Sequence, residues 1–298
     1  MSRHIVYIIN PIAGSKTKND LQATIEKKTK EAGIPFHIVS SVVSGDYSFL
    51  LPLLASEKTT DVVIAAGDGT VNQVVHSLMG ANVDFGIIPC GSGNGLAFAA
   101  KIPRSVNAAL DIVFNGKSSL IDGFYINDRF ACMLCGLGFD AKVAHDFARQ
   151  SKRGLTSYII QVVKNFFSAK TYLFDIHIDD QSITADAFFI SIANSNQFGN
   201  NFTIAPQASL DDGLLDIVIV TKQNKLSLLL QTFKQVSGRN ALQVSLVQKQ
   251  RGIIYFQAPA LRIVNRSHAP LHIDGDPAKT PNEITIEIHK KCFRLIQP

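Results

Sequence analysis

Short apolar runs and longer amphipathic segments alternate along the first 120 residues of the chain. The short runs are rich in β-branched residues, which is typical of strands buried on both faces, and the longer segments repeat apolar residues at helical spacing. The predicted strands cover residues 5–9, 36–39, 62–66 and 85–88, and the predicted helices cover residues 19–32, 47–56, 71–79 and 106–114. This alternation predicts an α/β domain with a mostly parallel sheet over residues 1–122.

The pattern changes near Asp122-Gly123, after which short strand patterns dominate. They cover residues 130–135, 172–178, 185–193, 215–220, 243–247, 253–256, 262–264, 271–273 and 284–288, with two helices near 155–169 and 226–236. Many short strands separated by turn residues predict an antiparallel sandwich or barrel, and we take a β-sandwich over residues 123–280 as the prediction. Residues 281–298 are expected to pack back on the first domain.

The composition is that of a folded protein, with 46% apolar and 18% charged residues. No apolar run approaches the ~20 residues that a membrane span needs, and a strand pattern begins too early for a signal peptide. Free thiols are expected at Cys90, Cys132, Cys135 and Cys292, because the CxxC lies in an apolar stretch without a second pair. We therefore expect a cytoplasmic protein.

The net charge of +5 comes from residues 141–170, where six basic residues stand against Asp146. The same stretch repeats apolar residues at helical spacing, so its basic residues form either a solvated helix face or a positive surface for an anionic ligand or lipid headgroups. Nucleic acid is not an expected partner, because basic and aromatic residues are not interleaved along an exposed sheet.

The junction Gly67-Asp68-Gly69-Thr70 joins a predicted buried strand to a predicted helix. Glycines let backbone N–H groups approach a phosphate, and a helix N-terminus favours anions. A carboxylate would repel phosphate unless a cation lies between them, so the junction predicts a metal–nucleotide site with Asp68 facing Mg²⁺ or an attacking hydroxyl. The alternative is a tight turn in which Asp68 is the helix N-cap.

Two further polar turns with glycine, at residues 10–15 and 89–95, follow other predicted strands of the same sheet. Ligands of parallel sheets bind at the carboxyl ends of the strands, so the three turns are expected to meet around a nucleotide. The chain has no GxxxxGK[ST] loop and no GxGxxG after its first strand, which disfavours P-loop and Rossmann enzymes.

Two acidic turns stand out in the second half. Residues 211–216 place three carboxylates among six residues. This cluster indicates either a site for Mg²⁺ or Ca²⁺ or an acidic turn formed by Asp-Gly without a metal. Asp274-Gly275-Asp276 could supply a general base, a metal ligand or a hairpin tip. His145, His268 and His272 lack metal-ligand spacing and are expected to be structural or exposed.

Together these segments resemble the soluble diacylglycerol kinase-like lipid kinases, which include bacterial lipid kinases and sphingosine and ceramide kinases and share their fold with NAD kinases. The matching segments, in chain order, are Asn10-Pro11 with Gly14, Gly67-Asp68-Gly69-Thr70, Pro89-Cys90-Gly91-Ser92-Gly93-Asn94, Gly136-Leu137-Gly138-Phe139-Asp140, Ile204-Ala205-Pro206 with residues 211–216, and Asp274-Gly275-Asp276. Each segment alone is common, but all six in this order are specific and span nearly the whole chain.

The resemblance implies an ATP- and Mg²⁺-dependent kinase with ATP between two domains and a lipid hydroxyl as acceptor. The implied nucleotide contacts are Asn10, Ser44, Gly67, Gly69, Thr70, Ser92 and Asn94. A structural Mg²⁺ is implied on Asp212 and the backbone carbonyls of Ser209 and Leu214. Asp68, Asp274 and Asp276 are the implied catalytic residues, with the base either Asp68 or Asp274. Such an enzyme would act on its lipid substrate as a peripheral protein at the inner membrane face.

Two residues depart from the family's motifs. Ala66 replaces the first glycine of GGDGT, and because alanine does not readily take a positive φ we expect it to extend the strand. Asp276 replaces the glutamate of DGE and is one methylene shorter, so a water would have to bridge it to a metal. The alternative functions are an NAD kinase-like kinase of a soluble acceptor and a non-catalytic lipid-binding module.

Overall fold

The computed structural model describes residues 3–10, 18–148, 165, 169–197, 205–224 and 252–298. The chain forms two compact units, Met1–Ile121 with Lys291–Pro298, and Asp122–Lys290. Among the described residues we find no helix with both the length and the apolar character that a membrane crossing requires.

The first unit is an α/β fold. Its strands are β1 (Ile5–Ile9), β2 (Phe36–Ser40), β3 (Asp61–Ala66) and β4 (Asp84–Pro89), and its helices are α1 (Lys18–Glu31), α2 (Leu51–Ser56), α3 (Asp68–Leu78), α4 (Gly95–Ala99) and α5 (Val106–Asn115). The four strands are parallel in the order β2-β1-β3-β4. The end of the last strand of the chain, β15 (Glu283–Gln297), also belongs to this unit and pairs in parallel with β4 through Arg294 and Leu295.

Burial in this sheet follows the apolar runs of the sequence. Every residue of β1 and β3 is buried. Both strands have a neighbouring strand on each side, and parallel sheets of this kind are covered by helices on their faces. The edge strand β2 is only partly buried. The helix predicted over residues 47–56 is divided into a 3-10 turn (Ser48–Leu50) and α2, with Pro52 in the first turn of α2, where its missing N–H costs no hydrogen bond.

The second unit is antiparallel and β-rich. It contains β5 (Lys117–Ile126) from residue 122 onward, β6 (Arg129–Ala131), β7 (Leu134–Gly138), α6 (Phe139–Ala148), β8 (Tyr172–Ile178), β9 (Gln181–Ala193), β10 (Leu215–Thr221), β11 (Ile253–Ala258), β12 (Ala260–Asn265), β13 (Leu271–Ile273), β14 (Asp276–Ala278) and the first part of β15. The long strand β9 pairs with β8 along its first half and with β7 and β10 along its second half. The predicted fold class, an α/β domain followed by an antiparallel β-rich domain, is confirmed.

Several predicted elements of the second half are wrong or incomplete. The strand predicted over residues 130–135 is two strands, β6 and β7, and α6 and β14 were not predicted. The helices predicted near 155–169 and 226–236 and the strand over 243–247 lie outside the described residues, apart from Asn165 and Ala169. The second unit begins at Asp122, next to the boundary predicted after residue 122. The chain returns to the first unit at Lys291, whereas the prediction placed the return at residue 281.

Candidate active site

Four polar segments follow the carboxyl ends of β1–β4, at one edge of the parallel sheet. Asn10 follows β1, residues 41–45 follow β2, residues 67–70 follow β3 and residues 90–94 follow β4. All seven predicted nucleotide contacts lie in these segments: Asn10, Ser44, Gly67, Gly69, Thr70, Ser92 and Asn94. The parallel topology brings them together, because strands of one direction end at the same edge.

Asp68 is the first residue of α3, and Gly67 is the N-cap in an extended conformation. The alternative that made Asp68 the N-cap is therefore wrong. The helix starts three residues earlier than the apolar pattern at Val71 indicated. The carboxylate of Asp68 consequently lies at the positive end of the α3 dipole, beside backbone N–H groups that have no partner within the helix.

The loops after β3 and β4 are packed against each other through their glycines. A Cβ atom on Gly91 would lie 2.6 Å from Cα of Gly67, and one on Gly93 would lie 2.7 Å from Oδ2 of Asp68. The backbone N–H of Asn94 donates to the same Oδ2 at 2.7 Å. Glycine at these positions therefore allows the two loops to approach closely enough for the Asp68–Asn94 bond.

Asn94 closes the second loop on itself. Its backbone is left-handed, with φ of 59°, a conformation that asparagine tolerates better than most residues. Its Oδ1 accepts from the N–H of Gly91 and its Nδ2 donates to the carbonyl of Gly91, both at 2.8 Å. The amide thus has a structural part in the loop, and its contact with a nucleotide stays a prediction.

The other two segments lie against α3. Nδ2 of Asn10 donates to Oγ1 of Thr70 at 3.1 Å, which joins the end of β1 to the first turn of the helix. Gly45, with φ of 72°, lies against the side chain of Gln73. Ser44, next to Gly45, is exposed.

Asp274, in the second unit, is buried, and its carboxylate accepts three backbone hydrogen bonds. Cys132 N–H donates to Oδ2 at 3.0 Å, and Met133 and Leu134 N–H donate to Oδ1 at 3.0 and 2.9 Å. These N–H groups turn towards the carboxylate, which is why the chain breaks into β6 and β7. Burial, with Asp274 and Asp140 nearby, raises the pKa of Cys135.

Asp276 lies two residues further on and is exposed at the start of β14. The turn between β13 and β14 contains Gly275, whose φ of 87° favours glycine. The two aspartates of this motif therefore have different environments, one buried and hydrogen-bonded and one at the surface.

The acidic turn at residues 209–216 collects carboxylates. Oδ1 of Asp212 accepts from Leu214 N–H at 3.0 Å, Ser209 Oγ donates to Asp211 Oδ1 at 2.8 Å, and Asp122 Oδ2 accepts from Gly213 N–H at 2.7 Å. Desolvation of the carboxyl group, with the charges of Asp122 and Asp211, raises the pKa of Asp212. A turn of oxygen donors with this excess of negative charge fits a hard divalent cation.

Family models match both halves of the chain. The model "Diacylglycerol kinase catalytic domain" matches residues 4–126, and "YegS C-terminal NAD kinase beta sandwich-like domain" matches residues 134–296, more than half of the chain. The chain belongs to the diacylglycerol kinase-like lipid kinases. Membership of this family makes the protein an enzyme, and it disfavours the alternative of a non-catalytic lipid-binding module.

Relatives with curated names agree with the family. Proteins of Yersinia pestis (strain Pestoides F) and Yersinia pseudotuberculosis serotype O:1b (strain IP 31758), each named "Probable lipid kinase YegS-like", are 26% identical over 282 residues, which cover 92% of this chain and 90% of theirs. The crystal structure of a diacylglycerol kinase from Bacillus anthracis str. Sterne superposes with a TM-score of 0.75, at 20% identity, and covers 99% of this chain and 97% of its own. Another structure from that organism superposes with a TM-score of 0.78, at 21% identity, over 99% and 96%. The structures show the fold.

The first departure of this lipid kinase from the motifs, at Ala66, has a clear position. Ala66 is the last residue of β3 and is buried, so the prediction that it extends the strand is confirmed. None of the four cysteines forms a disulfide, in agreement with the prediction of thiols, and Cys132 and Cys135 are buried.

Three buried polar groups of the lipid kinase were not predicted from the sequence as site residues. Oδ2 of Asp140 lies 3.4 Å from Nε2 of His272, and the N–H of Gly275 donates to Nδ1 of the same ring at 3.3 Å. A Cβ atom on Gly136 would lie 1.9 Å from the same Asp140 oxygen. The glycine spacing of that segment is the sequence signal that indicates such a close approach.

Asp216 is the third group, beneath the acidic turn. Tyr255 Oη donates to it at close range, and Gln257 Nε2 donates to its Oδ2 at 3.0 Å. Tyr255 Oη also accepts from Gln207 N–H at 3.1 Å, which ties the segment before the turn to β11. Burial raises the pKa of Asp216 to about 6.

Proposed function

We propose that this lipid kinase transfers the γ-phosphate of ATP, in a Mg²⁺-dependent reaction, to a lipid hydroxyl of a diacylglycerol-like or sphingoid substrate. The family membership and the names of the Yersinia relatives support a lipid acceptor. The observation that carries the proposal is the placement of Asp68, at the N-terminus of α3 and hydrogen-bonded to the glycine loop after β4.

ATP is the donor that this edge of the first unit fits. The start of α3 supplies backbone N–H groups for phosphate oxygens, and the glycines that pack the two loops together leave the backbone without side chains that would block an approaching phosphate. Asn10 and Thr70 lie beside them and add polar side chains. Phosphoryl transfer needs in-line positioning and neutralised phosphate charge more than covalent help, and these residues provide positioning.

We assign Asp68 as the general base, which takes the proton from the lipid hydroxyl that attacks the γ-phosphate. Its hydrogen bond to Asn94 N–H holds its orientation. Asp274 has three backbone donors on its carboxylate, which supports a positioning part for it in the second unit. Asp276 is exposed and would reach a metal through water.

Mg²⁺ fits the acidic turn, where Asp212 and the carbonyl oxygens of Ser209 and Leu214 would hold it. Bound there, it would neutralise the carboxylates of the turn and stabilise the turn itself. Asp122 holds the backbone of this turn through the N–H of Gly213, and the side chains of Ser209 and Asp211 are bonded to each other.

Peripheral binding at the inner membrane face belongs to the same proposal, and the basic residues at 141–170 support it. Arg149, Lys152, Arg153 and Lys164 lie outside the described residues.

Reversing Lys152 and Arg153 to Glu should weaken sedimentation with anionic vesicles several-fold at low salt, because each basic residue near such a surface contributes about 1 kcal/mol. Reversal of Lys27 and Lys30, exposed on α1, is the matched control. Vesicle binding that ignores both salt and the first reversal would contradict the basic-surface assignment.

The deciding experiment is a transfer assay with γ-labelled ATP. Purified protein is incubated with Mg²⁺ and, separately, with diacylglycerol, sphingosine, ceramide, phosphatidylglycerol and NAD. Label is expected in a lipid and to depend on Mg²⁺. Label in NAD alone would replace the proposal with the NAD kinase-like alternative.

A further inference from the structure

Three metal-ligating side chains meet at the edge of the parallel sheet opposite the candidate active site. His4 precedes β1, His37 is the second residue of β2, and Glu57 follows α2, shortly before β3. One ligand atom from each of the three lies within 4.8 Å of those of the other two. They stand at the amino ends of β1–β3, whereas the candidate active site follows the carboxyl ends, so a strand length of roughly 15 Å separates the two places.

The cluster is distinctive within this chain. All eight histidines and all four cysteines belong to the described residues. Among the described His, Cys, Asp and Glu side chains, this is the one group of three that brings its ligand atoms so close together.

His4 is held in an orientation that suits a ligand. It is buried, and its Nδ1 lies 3.1 Å from Oγ1 of Thr59, which is also buried. Thr59 is itself fixed by its N–H bond to the carbonyl of Leu54 in α2. A polar partner at one ring nitrogen orients many metal-bound histidines and leaves the other nitrogen for the metal.

The other two ligands are able to adjust. The ring of His37 lies edge-on to that of His4 with 5.2 Å between centroids, and both His37 and Glu57 are exposed. Small rotations of these surface side chains would bring the three atoms to coordination distance. Solvent can complete the coordination shell from the open side.

We propose that His4, His37 and Glu57 form a binding site for a divalent transition metal ion, with Zn²⁺ as the best match. Two imidazole nitrogens and one carboxylate oxygen are a ligand set that Zn²⁺ accepts, whereas Mg²⁺ prefers oxygen alone. The site differs in chemistry from the oxygen donors around Asp212. An ion here joins β1, β2 and the end of α2, so it stabilises the folded first unit increasingly as the free ion concentration rises above its dissociation constant.

The test is equilibrium dialysis of the full chain against ZnCl₂, followed by measurement of bound metal. Wild type is expected to bind one Zn²⁺ per chain. His37→Gln and Glu57→Gln should weaken binding by roughly tenfold or more, since each removes a ligand at an exposed position that the fold tolerates. His289→Gln, which removes an exposed histidine on β15, is the matched control and should bind as wild type does.

Thermal melts provide the second readout. Zn²⁺ should raise the melting temperature of wild type and of His289→Gln, and should leave that of the two ligand variants nearly unchanged. A large excess of Mg²⁺ should not displace the bound Zn²⁺. Equal binding by wild type and both ligand variants, no bound Zn²⁺ in wild type, or displacement by Mg²⁺ would each overturn the site. None of these readouts depends on kinase activity.

Discussion

The carboxylate of Asp68 accepts a hydrogen bond from the backbone N–H of Asn94, with 2.7 Å between Oδ2 and the nitrogen. Asn94 in turn uses both polar atoms of its side-chain amide on the backbone of Gly91. The proposed base is therefore held by the loop that is proposed to contact the nucleotide. Movement of either loop would displace both groups.

Asp68→Asn should lower the rate of phosphoryl transfer by about 10²- to 10⁴-fold, because the amide cannot accept the proton of the acceptor. Asparagine keeps an oxygen for the Asn94 N–H, so the unfolding midpoint should change little. Asp68→Ala removes both the charge and the acceptor, and its comparison with Asp68→Asn separates catalysis from loop support. Near-normal turnover by Asp68→Asn, measured with labelled ATP, would leave only a structural role for this residue.

Gly91→Ala should reduce kcat/KM for ATP by roughly 10- to 100-fold, since its Cβ would lie 2.6 Å from Cα of Gly67 and push the two loops apart. Gly80→Ala is the control, because a Cβ there meets nothing within 4 Å. Steady-state kinetics at varied ATP measure the effect. Equal kinetics for the two variants would show that the close approach of the loops is not needed.

Asp274→Ala should lower the free energy of unfolding by roughly 2 to 4 kcal/mol, because it leaves the N–H groups of Cys132, Met133 and Leu134 without their acceptor. Asp276→Ala, at an exposed position in the same hairpin, should stay within about 0.5 kcal/mol of wild type. Urea unfolding measures both. A similar cost for the two variants would contradict the anchoring role of Asp274.

Asp212→Asn should remove the stabilisation that Mg²⁺ gives to the second unit. In wild type, Mg²⁺ binding at the acidic turn should raise the melting temperature with concentration, as expected for a ligand that binds the folded state. Asp179→Asn, outside the turn, is the control. If Mg²⁺ stabilises all three proteins equally, Asp212 is not a ligand.

Asp216 should make stability fall as the pH rises from about 4 to 6. Its pKa is about 6 in the folded protein and near 3.8 when unfolded, so between these values the folded state holds the proton that the unfolded state has lost. The loss of stability from ionising the buried carboxyl is absent below pH ~4 and reaches its full value of about 3 kcal/mol above pH ~6.

Asp216→Asn lacks this titration. Urea unfolding of both proteins at pH 4 and pH 7 should therefore show wild type losing up to about 3 kcal/mol relative to the variant, while shared titrations cancel in the difference. A difference that does not change with pH would mean that the hydrogen bonds from Tyr255 and Gln257 offset the burial of the carboxylate.

Much of the fold and the location of the candidate site followed from local pattern. The uninterrupted apolar runs of β1 and β3 indicated buried parallel strands, and both strands are completely buried. The polar turns that follow them had to meet, because parallel strands end at one edge. Ala66 was predicted to stay in the strand because alanine disfavours a positive φ, and it does.

Only the tertiary structure decided which distant groups bind each other. The apolar run at residues 130–135 reads as one strand, yet Asp274, 142 positions from Cys132, draws its N–H groups away and splits it. Asp68 is not the N-cap, because Gly67 holds that position and α3 already begins at Asp68, whose carboxylate accepts from Asn94 N–H instead. His4, His37 and Glu57 have no spacing that marks a metal site, and they meet because β1 and β2 pair in register and α2 ends beside them. Periodicity reports how each segment is buried, whereas hydrogen bonds and ligand sets depend on which segments become neighbours.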